Sequence, residues 1–260
     1  MSEIPETPAV AGPRHWWDPP VLAWSFLTAL PAPWIEADPA SLAVATAYFP
    51  VIGIVLGAVL GALGLLFDRV LPTGPVAALL LSLAAVVTGG LHLDGLMDTA
   101  DGVFGGRTRE SRLEIMRDSR VGSFGALAGT LNLLVQFACL SDLTGVSRLV
   151  GLALALGLGR WSMVIALHAF RPARETGLGA AFRSKSQWWP LLAATVIAGA
   201  LGGAVGWPGI AALVAIGVFT LLAGRYLTAR LGGLTGDTYG AIAVLSESIA
   251  LLVTLALETR

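Results

Sequence analysis

The sequence predicts an all-α, polytopic integral membrane protein: a helical bundle of about seven spans with a cytoplasmic N-terminus. Of the 260 residues, 55% are hydrophobic and only 13% are charged, about half the charged fraction of an ordinary soluble domain. The mean hydropathy is +0.78, and several apolar stretches reach the roughly 20 residues that a bilayer span requires. Because no alternation of period two recurs, a transmembrane β-barrel is not indicated.

Apolar stretches of spanning length occur seven times along the chain. The segment before them, residues 1–20, is predicted to be a disordered tail, and residues 21–260 a single membrane domain. A net charge of −1 provides no field that would attract nucleic acid. The lipid bilayer is the expected environment because the chain has too few charges to cover a soluble domain. The predicted spans are approximately 43–66, 75–92, 121–141, 146–169, 188–206, 207–224 and 239–257.

The basic residues predict the orientation of these spans. Twelve of the 16 lysines and arginines lie on one side, in the N-terminal tail and the segments 93–120, 170–187 and 225–238. Since cytoplasmic loops are enriched in Lys and Arg, this side is predicted to be the cytoplasm. The glycine-rich stretch 151–159 predicts close helix packing, either within one chain or in a homo-oligomer.

Acidic residues gather at the cytoplasmic end of the second predicted span, within the glycine-rich segment 89–106. On a helix, Asp94, Asp98 and Asp101 stand at i, i+4 and i+7 and share one face. Carboxylates that face one another repel, and a divalent cation relieves that cost. Oxygen ligands without cysteine suit Mg²⁺ or Mn²⁺. The segment is therefore predicted to bind one of these metals.

Arginines follow the acidic segment directly, and arginine is a bidentate ligand of phosphate. Arg107, Arg117 and Arg120 lie in the same loop, and Arg171 lies in the next basic loop. Metal-binding acids, glycines and phosphate-binding cations in one run favour phosphoryl transfer on a pyrophosphate substrate. The alternative is that the arginines only set the topology, and that Asp118 belongs to an ion-paired surface helix.

Two further polar features precede and occupy the last predicted span. The Gly/Thr-rich turn with Thr235 and Asp237 offers free N–H groups to a phosphate, although Asp237 could instead cap the helix. Glu247 lies near the middle of the span, where an ionisable residue is a candidate functional group. Arg160, in the fourth span, is its candidate partner, so the two form either a functional site or a structural ion pair.

Together these segments resemble the motifs of the cobalamin synthase family, the adenosylcobinamide-GDP ribazoletransferases. The resemblance implies that adenosylcobinamide-GDP is joined to α-ribazole, or to its 5′-phosphate, with release of GMP. It also implies Mg²⁺ and a location in the bacterial cytoplasmic membrane, with the active site facing the cytoplasm. The matching segments are 26–28 with Pro31 and Pro33, 49–53, 89–106, 114–122, Arg171-Pro172 with Gly177, and 233–237.

The mechanism expected from this resemblance assigns roles to individual residues. Asp94, Asp98 and Asp101 hold the metal. Asp101 or His92 acts as the general base, and Glu247 is a further catalytic candidate. The remaining candidates bind substrate: Arg107, Arg117, Asp118, Arg120, Arg171, Thr235 and Asp237.

Two other functions compete with this prediction. CDP-alcohol phosphotransferases also use membrane-embedded aspartates, but their Ala-Arg and their later aspartate pair are missing here. An ion-coupled transporter would use Glu247, Arg160 and the acids as a path. The gathering of polar residues on one face, and not at the midplane, argues against a transporter.

Overall fold

The computed structural model describes residues 15–174, 182 and 188–258. Within these residues the regular structure is helical, and the only extended pairing is an isolated bridge between Pro172 and Leu234. The all-α prediction is therefore confirmed. The main helices are α1 (Asp18–Leu27), α2 (Pro39–Ala45), α3 (Phe49–Phe67), α4 (Thr73–Thr88), α5 (Leu91–Ala100), α6 (Arg109–Ile115), α7 (Ser123–Asp142), α8 (Gly145–Ala169), α9 (Trp189–Val205), α10 (Trp207–Leu231) and α11 (Gly236–Glu258).

Each predicted span coincides with an apolar helix, but not all of these helices have spanning length. Helix α9 has only 17 residues, and α4 meets the helical segment Leu91–Gly105 at a bend of 91°. If that bent pair counts as one span, the described residues contain six candidates, and otherwise five. The total of seven spans and the cytoplasmic N-terminus stay predictions. The five are Pro39–Phe67, Ser123–Asp142, Gly145–Ala169, Trp207–Leu231 and Gly236–Leu257.

Parts of the sequence predictions fall at or beyond the edges of the described structure. The boundary of the expected tail, at residue 20, lies inside α1, which begins at Asp18. The rest of that tail, residues 1–14, lies outside the described residues, as do Arg183 and Lys185 of the second basic loop.

Helix α8 is the central helix of the bundle, and residues 151–164 are all buried. It packs most extensively against α3 and α11. On α3, Gly53, Gly57 and Gly61 recur every four residues, and a Cβ at any of them would overlap the backbone of α8. Such small residues allow membrane helices to approach closely. The glycine-rich stretch 151–159 thus packs inside the chain, and a homo-oligomer stays a prediction.

A buried arginine ties the first turn of α8 to its neighbours. Arg148 is 1% exposed. Its Nε donates to the carbonyls of Leu140 and Leu143 at 2.8 and 2.7 Å, and its Nη1 binds Asp68 at 2.6 Å. Arg148 therefore satisfies carbonyls at the end of α7, which lack partners within their own helix.

Candidate active site

The acidic segment lies where α5 crosses the start of α11. Two glycines at φ +62 and +68, Gly89 and Gly90, produce the sharp bend that precedes α5. At the crossing, a Cβ on Gly95 would lie 2.6 Å from the carbonyl oxygen of Asp237, and one on Gly240 would lie 3.2 Å from the Cα of His92. The two glycines thus let the backbones of α5 and α11 touch.

This crossing brings three carboxylates together from two distant motifs. Asp94 and Asp98 lie one turn apart on α5, and Asp237 lies in the first turn of α11. The charges of Asp94 and Asp237, and more weakly that of Asp101, act on Asp98. The charge of Asp94 also acts on Asp237. We call Asp94, Asp98 and Asp237 the carboxylate cluster.

Asp101, the third acid of the predicted metal site, is turned towards α7. It begins a π-helical turn, Asp101–Gly105, and is buried. Its Oδ2 accepts the N–H of Gly122 at 2.7 Å, and its Oδ1 accepts the N–H of Gly125 at 2.8 Å. Those are among the free N–H groups that begin α7, and a carboxylate there also complements the helix dipole. A Cβ at either glycine would overlap the carboxylate. Asp101 therefore anchors α7 to the end of α5.

This arrangement differs from the predicted set of three ligands on one helix face. Both oxygens of Asp101 are used by backbone N–H groups, which leaves Asp94 and Asp98 as the pair on α5. Among the described residues, no three His, Cys, Asp or Glu side chains are grouped as a metal site. The metal and base roles of Asp101 stay predictions that this geometry disfavours.

Arg174 lies within electrostatic reach of Asp237, and Arg117 lies within reach of Arg174. Partial burial and the neighbouring cation of Arg117 lower the pKa of Arg174, while the charge of Asp237 raises it. The Nη2 of Arg174 donates to the carbonyl of Leu113 at 3.1 Å, which holds its guanidinium in position. Arg117 is exposed. Paired cations beside acids are suited to a substrate that carries both phosphate and a bound cation.

Arginines of two basic loops also bind the end of α10. Arg171, predicted to bind substrate, is among them. Its segment also pairs with Leu234: the N–H of Ala173 donates to the carbonyl of Leu234, and the N–H of Leu234 donates to the carbonyl of Arg171. The guanidinium groups thereby satisfy carbonyls that a helix end leaves free. The side-chain bonds are Arg112 to the carbonyl of Arg230, Arg109 to Leu231, and Arg171 to Gly232.

The Gly/Thr-rich turn forms a reciprocal cap at the start of α11. The Oγ1 of Thr238 accepts the N–H of Thr235 at 2.8 Å, and the Oγ1 of Thr235 accepts the N–H of Thr238 at 3.3 Å. The hydroxyl of Thr235 also contacts Asp237 at 3.3 Å. Thr235 therefore caps the helix, as in a capping box. Asp237 is not the cap and stays part of the carboxylate cluster.

Three other predicted substrate ligands lie on either side of α6, Arg107 before it and Asp118 and Arg120 after it. Asp118 and Arg120 bind each other, with 2.6 Å between Oδ2 and Nη2. This side-chain hydrogen bond from Arg120 lowers the pKa of Asp118 to about 2. The two are thus ion-paired at neutral pH, but Asp118 lies beyond the end of α6 at Ile115, so the pair is not part of a surface helix. Arg107 is exposed in the turn before α6.

The predicted partnership of Arg160 with Glu247 is confirmed. Their side chains form a hydrogen-bonded ion pair deep in the bundle, where Arg160 is 2% exposed and Glu247 9%. The Nη2 of Arg160 also lies 3.5 Å from Nδ1 of His92. His92 lines two cavities, one shared with Arg160 and Glu247 and one shared with Asp94 and Asp237. It is thus the residue that lies between the ion pair and the carboxylate cluster.

Comparison with known proteins decides the family. The family model described as Cobalamin-5-phosphate synthase matches residues 20–255. The chain belongs to this family. Proteins named adenosylcobinamide-GDP ribazoletransferase from Roseiflexus sp. (strain RS-1), Desulfitobacterium hafniense (strain Y51) and Desulforamulus reducens are 44%, 41% and 39% identical to it. These alignments cover 95%, 89% and 92% of this chain, and 93%, 94% and 97% of the relatives. No solved structure was found to match the chain.

Membership of the Cobalamin-5-phosphate synthase family confirms the resemblance seen in the sequence. It favours neither the CDP-alcohol phosphotransferase nor the transporter. Sequence reasoning did not assign Arg174 to the site, although it lies in the same basic loop as Arg171. It also gave no role to Phe26 and Phe49, which lie in two of the motifs of this cobalamin synthase family and line the cavity beside Asp94.

Proposed function

We propose that the protein is an adenosylcobinamide-GDP ribazoletransferase of cobalamin biosynthesis. It would join adenosylcobinamide-GDP to α-ribazole, or to its 5′-phosphate, and release GMP. The family match and the names of the relatives support this activity. The observation that carries it is the nearness of Arg174 to Asp237 of the carboxylate cluster, with Arg117 near Arg174, since a pyrophosphate with its cation needs both acids and cations.

Asp94 and Asp98 would hold Mg²⁺, or Mn²⁺ in its place. Mg²⁺ in proteins usually takes one or two carboxylates and completes its shell with water and substrate phosphates. Two carboxylates on α5 match this usual number of protein ligands better than three would. When bound, the ion would neutralise charge on the pyrophosphate. Asp101 is left out of this set because both of its oxygens accept backbone N–H groups.

The protein side chains would bind and orient the two substrates. Arg117 and Arg174 would bind the pyrophosphate and stabilise charge on the departing GMP. A ribose hydroxyl oxygen of α-ribazole forms the new bond to the cobinamide-side phosphorus. The bond from this phosphorus to the bridging oxygen breaks, and GMP leaves with that oxygen. Asp237 lines the adjoining cavity with Asp94, so it is our candidate to accept the hydroxyl proton.

The reaction would take place at the cytoplasmic face of the bacterial inner membrane. The long apolar helices support a multi-pass membrane protein. The accumulation of basic residues around the site supports the cytoplasmic side. Adenosylcobinamide-GDP is charged at its nucleotide end and α-ribazole carries a polar ribose, so a site at the membrane surface is accessible to both.

Release of GMP tests the proposal directly. Purified protein in detergent, given adenosylcobinamide-GDP, α-ribazole and Mg²⁺, is expected to release GMP. Asp94→Asn and Asp98→Asn should each lower the rate by roughly a hundredfold or more, a loss typical of removing a charge-stabilising group. Glu110→Gln is the matched control, because this carboxylate is 76% exposed on α6.

Two results would count against this assignment. Near-normal rates in both aspartate variants would show that the pair does not hold the metal. Release of CMP from CDP-diacylglycerol and an alcohol, without release of GMP from the corrinoid, would favour the phosphotransferase.

A further inference from the structure

A cavity with mostly apolar walls opens between α5, α8 and the start of α11, next to the carboxylate cluster. Its volume is about 110 Å³, several times the roughly 10–15 Å³ that one water occupies by this kind of measure. Asp94 and Asp237 stand on its polar side. Its size and its walls therefore suit an organic group larger than a few waters, held against the carboxylates.

Three phenylalanines from separate parts of the chain form one wall of this cavity. The rings of Phe26 and Phe49 are stacked with centroids 5.6 Å apart, and the ring of Phe182 lies 4.9 Å from the first and 5.6 Å from the second. Met163 and Leu167 of α8 also line the cavity. Aromatic and thioether side chains make favourable contacts with a flat aromatic ligand.

His92 supplies a ring nitrogen to this cavity, and its neighbour Arg160 determines which of the two ring nitrogens carries the proton. The Nη2 of Arg160 lies 3.5 Å from Nδ1 of His92. A guanidinium can only donate, so Nδ1 accepts and the ring proton is on Nε2. His92 is 4% exposed, and its Nε2 has no hydrogen-bond partner in the described part of the chain. A buried N–H without an acceptor is costly, and a ligand acceptor would satisfy it.

We propose that this cavity holds the heteroaromatic base of the acceptor nucleoside, with His92 Nε2–H donating to the unsubstituted ring nitrogen of that base. The inference rests on the proposed function, which supplies the acceptor: α-ribazole is a benzimidazole nucleoside. Its base is flat and apolar and carries one ring nitrogen that is free to accept. With the base among the phenylalanines, the ribose is directed to the polar side of the cavity, towards Asp94 and Asp237.

The other parts of the substrates fit this cavity poorly. The corrinoid ring system is much larger than 110 Å³. Guanine presents several donors and acceptors, which apolar walls would leave unsatisfied. In this proposal Arg160 and Glu247 act through His92. Glu247 holds the guanidinium of Arg160, and that guanidinium sets the tautomer of His92, so both are positioning residues.

Direct binding tests this inference without turnover. Full-length protein in detergent is titrated with α-ribazole, by the fluorescence of its base, and with the matched indole nucleoside, in which a C–H replaces the free ring nitrogen. The wild-type protein should bind α-ribazole about tenfold or more tightly than the indole analogue, the discrimination expected when a buried donor loses its acceptor. His92→Leu should reduce this ratio to about one, and His92→Gln, which retains an N–H donor, should restore part of it.

A second variant tests the aromatic wall independently of His92. Phe26→Leu changes a half-buried side chain and should weaken α-ribazole binding severalfold. Phe104→Leu is its control, since Phe104 is 63% exposed on the π-helical turn. Equal binding of both nucleosides by the wild-type protein, or unchanged ratios and affinities in folded His92→Leu and Phe26→Leu, would overturn the inference. GMP release by the same preparations separately tests the proposed function, so the two failures are distinguishable.

Discussion

Replacing Asp101 by Asn is expected to destabilise the bundle without changing its metal requirement. The carboxylate accepts two N–H groups at the start of α7, whereas an amide has one oxygen and turns an NH₂ group towards the other donor. A buried N–H without an acceptor costs about 1–3 kcal/mol. Loss of the negative charge at a helix N-terminus costs a further 0.3–1 kcal/mol or so. We therefore expect Asp101→Asn to lower the free energy of unfolding by about 1–4 kcal/mol.

Thermal unfolding in detergent, followed by tryptophan fluorescence, measures this loss. The matched variant is Gly125→Ala, whose Cβ would overlap the Asp101 carboxylate and lie 2.8 Å from the carbonyl oxygen of Met97. It breaks the same anchor while leaving every acid in place, so it should lower the midpoint by a similar amount. In both variants, the Mg²⁺ concentration that gives half-maximal GMP release should stay within about twofold of wild type.

The opposite pattern would refute the anchoring role. If Asp101→Asn kept the wild-type midpoint but needed at least tenfold more Mg²⁺, Asp101 would be a metal ligand, as the sequence spacing alone predicted. If Gly125→Ala were as stable as wild type, the contact between α5 and α7 would not carry the stability assigned to it.

Two further predictions concern the packing behind the site. Arg160→Leu or Glu247→Leu alone should lower the free energy of unfolding by about 3–5 kcal/mol, since each leaves a buried charge unpaired. The double variant should lose less than the sum of the two single losses. Additive losses in unfolding experiments would show that the two side chains are not coupled. Gly95→Ala should lower GMP release tenfold or more by separating α5 from Asp237, whereas Gly199→Ala, with open space around it, should not. Equal rates would show that the close crossing is dispensable.

Much of the site could be predicted because its residues are unusual for a membrane chain. Asp94 and Asp98 stand out in an apolar sequence, and one helical turn between them places both on one face. The ion pair of Arg160 with Glu247 could be anticipated because buried charges in a membrane need partners. The bend before α5 was not predicted, because the predicted span 75–92 runs through Gly89 and Gly90, whose left-handed backbone angles produce it.

The partners of Asp94 and Asp98 could not be predicted in this way. Helical spacing continued the face to Asp101, but the π-helical turn that begins there, together with the bare backbone of Gly122 and Gly125, directs that carboxylate to α7. Its place is taken by Asp237, which a crossing at two glycines brings in from the last helix. Arg171, one of the predicted phosphate ligands, instead binds a carbonyl at the end of α10, as Arg109 and Arg112 do.

The sequence by itself determined the class of the protein and the kind of chemistry it carries. A chain with so few charges needs the lipid bilayer as its environment. The positions of those few charges predict which face of the protein binds phosphate. Tertiary structure alone decided which charges act together. Helix ends need partners for their free N–H and carbonyl groups, and Asp101, Arg109 and Arg112 serve as those partners. Asp94 and Asp98 on α5, Asp237 on α11 and Arg174 in the second basic loop come from segments far apart in the chain, and only packing makes them neighbours.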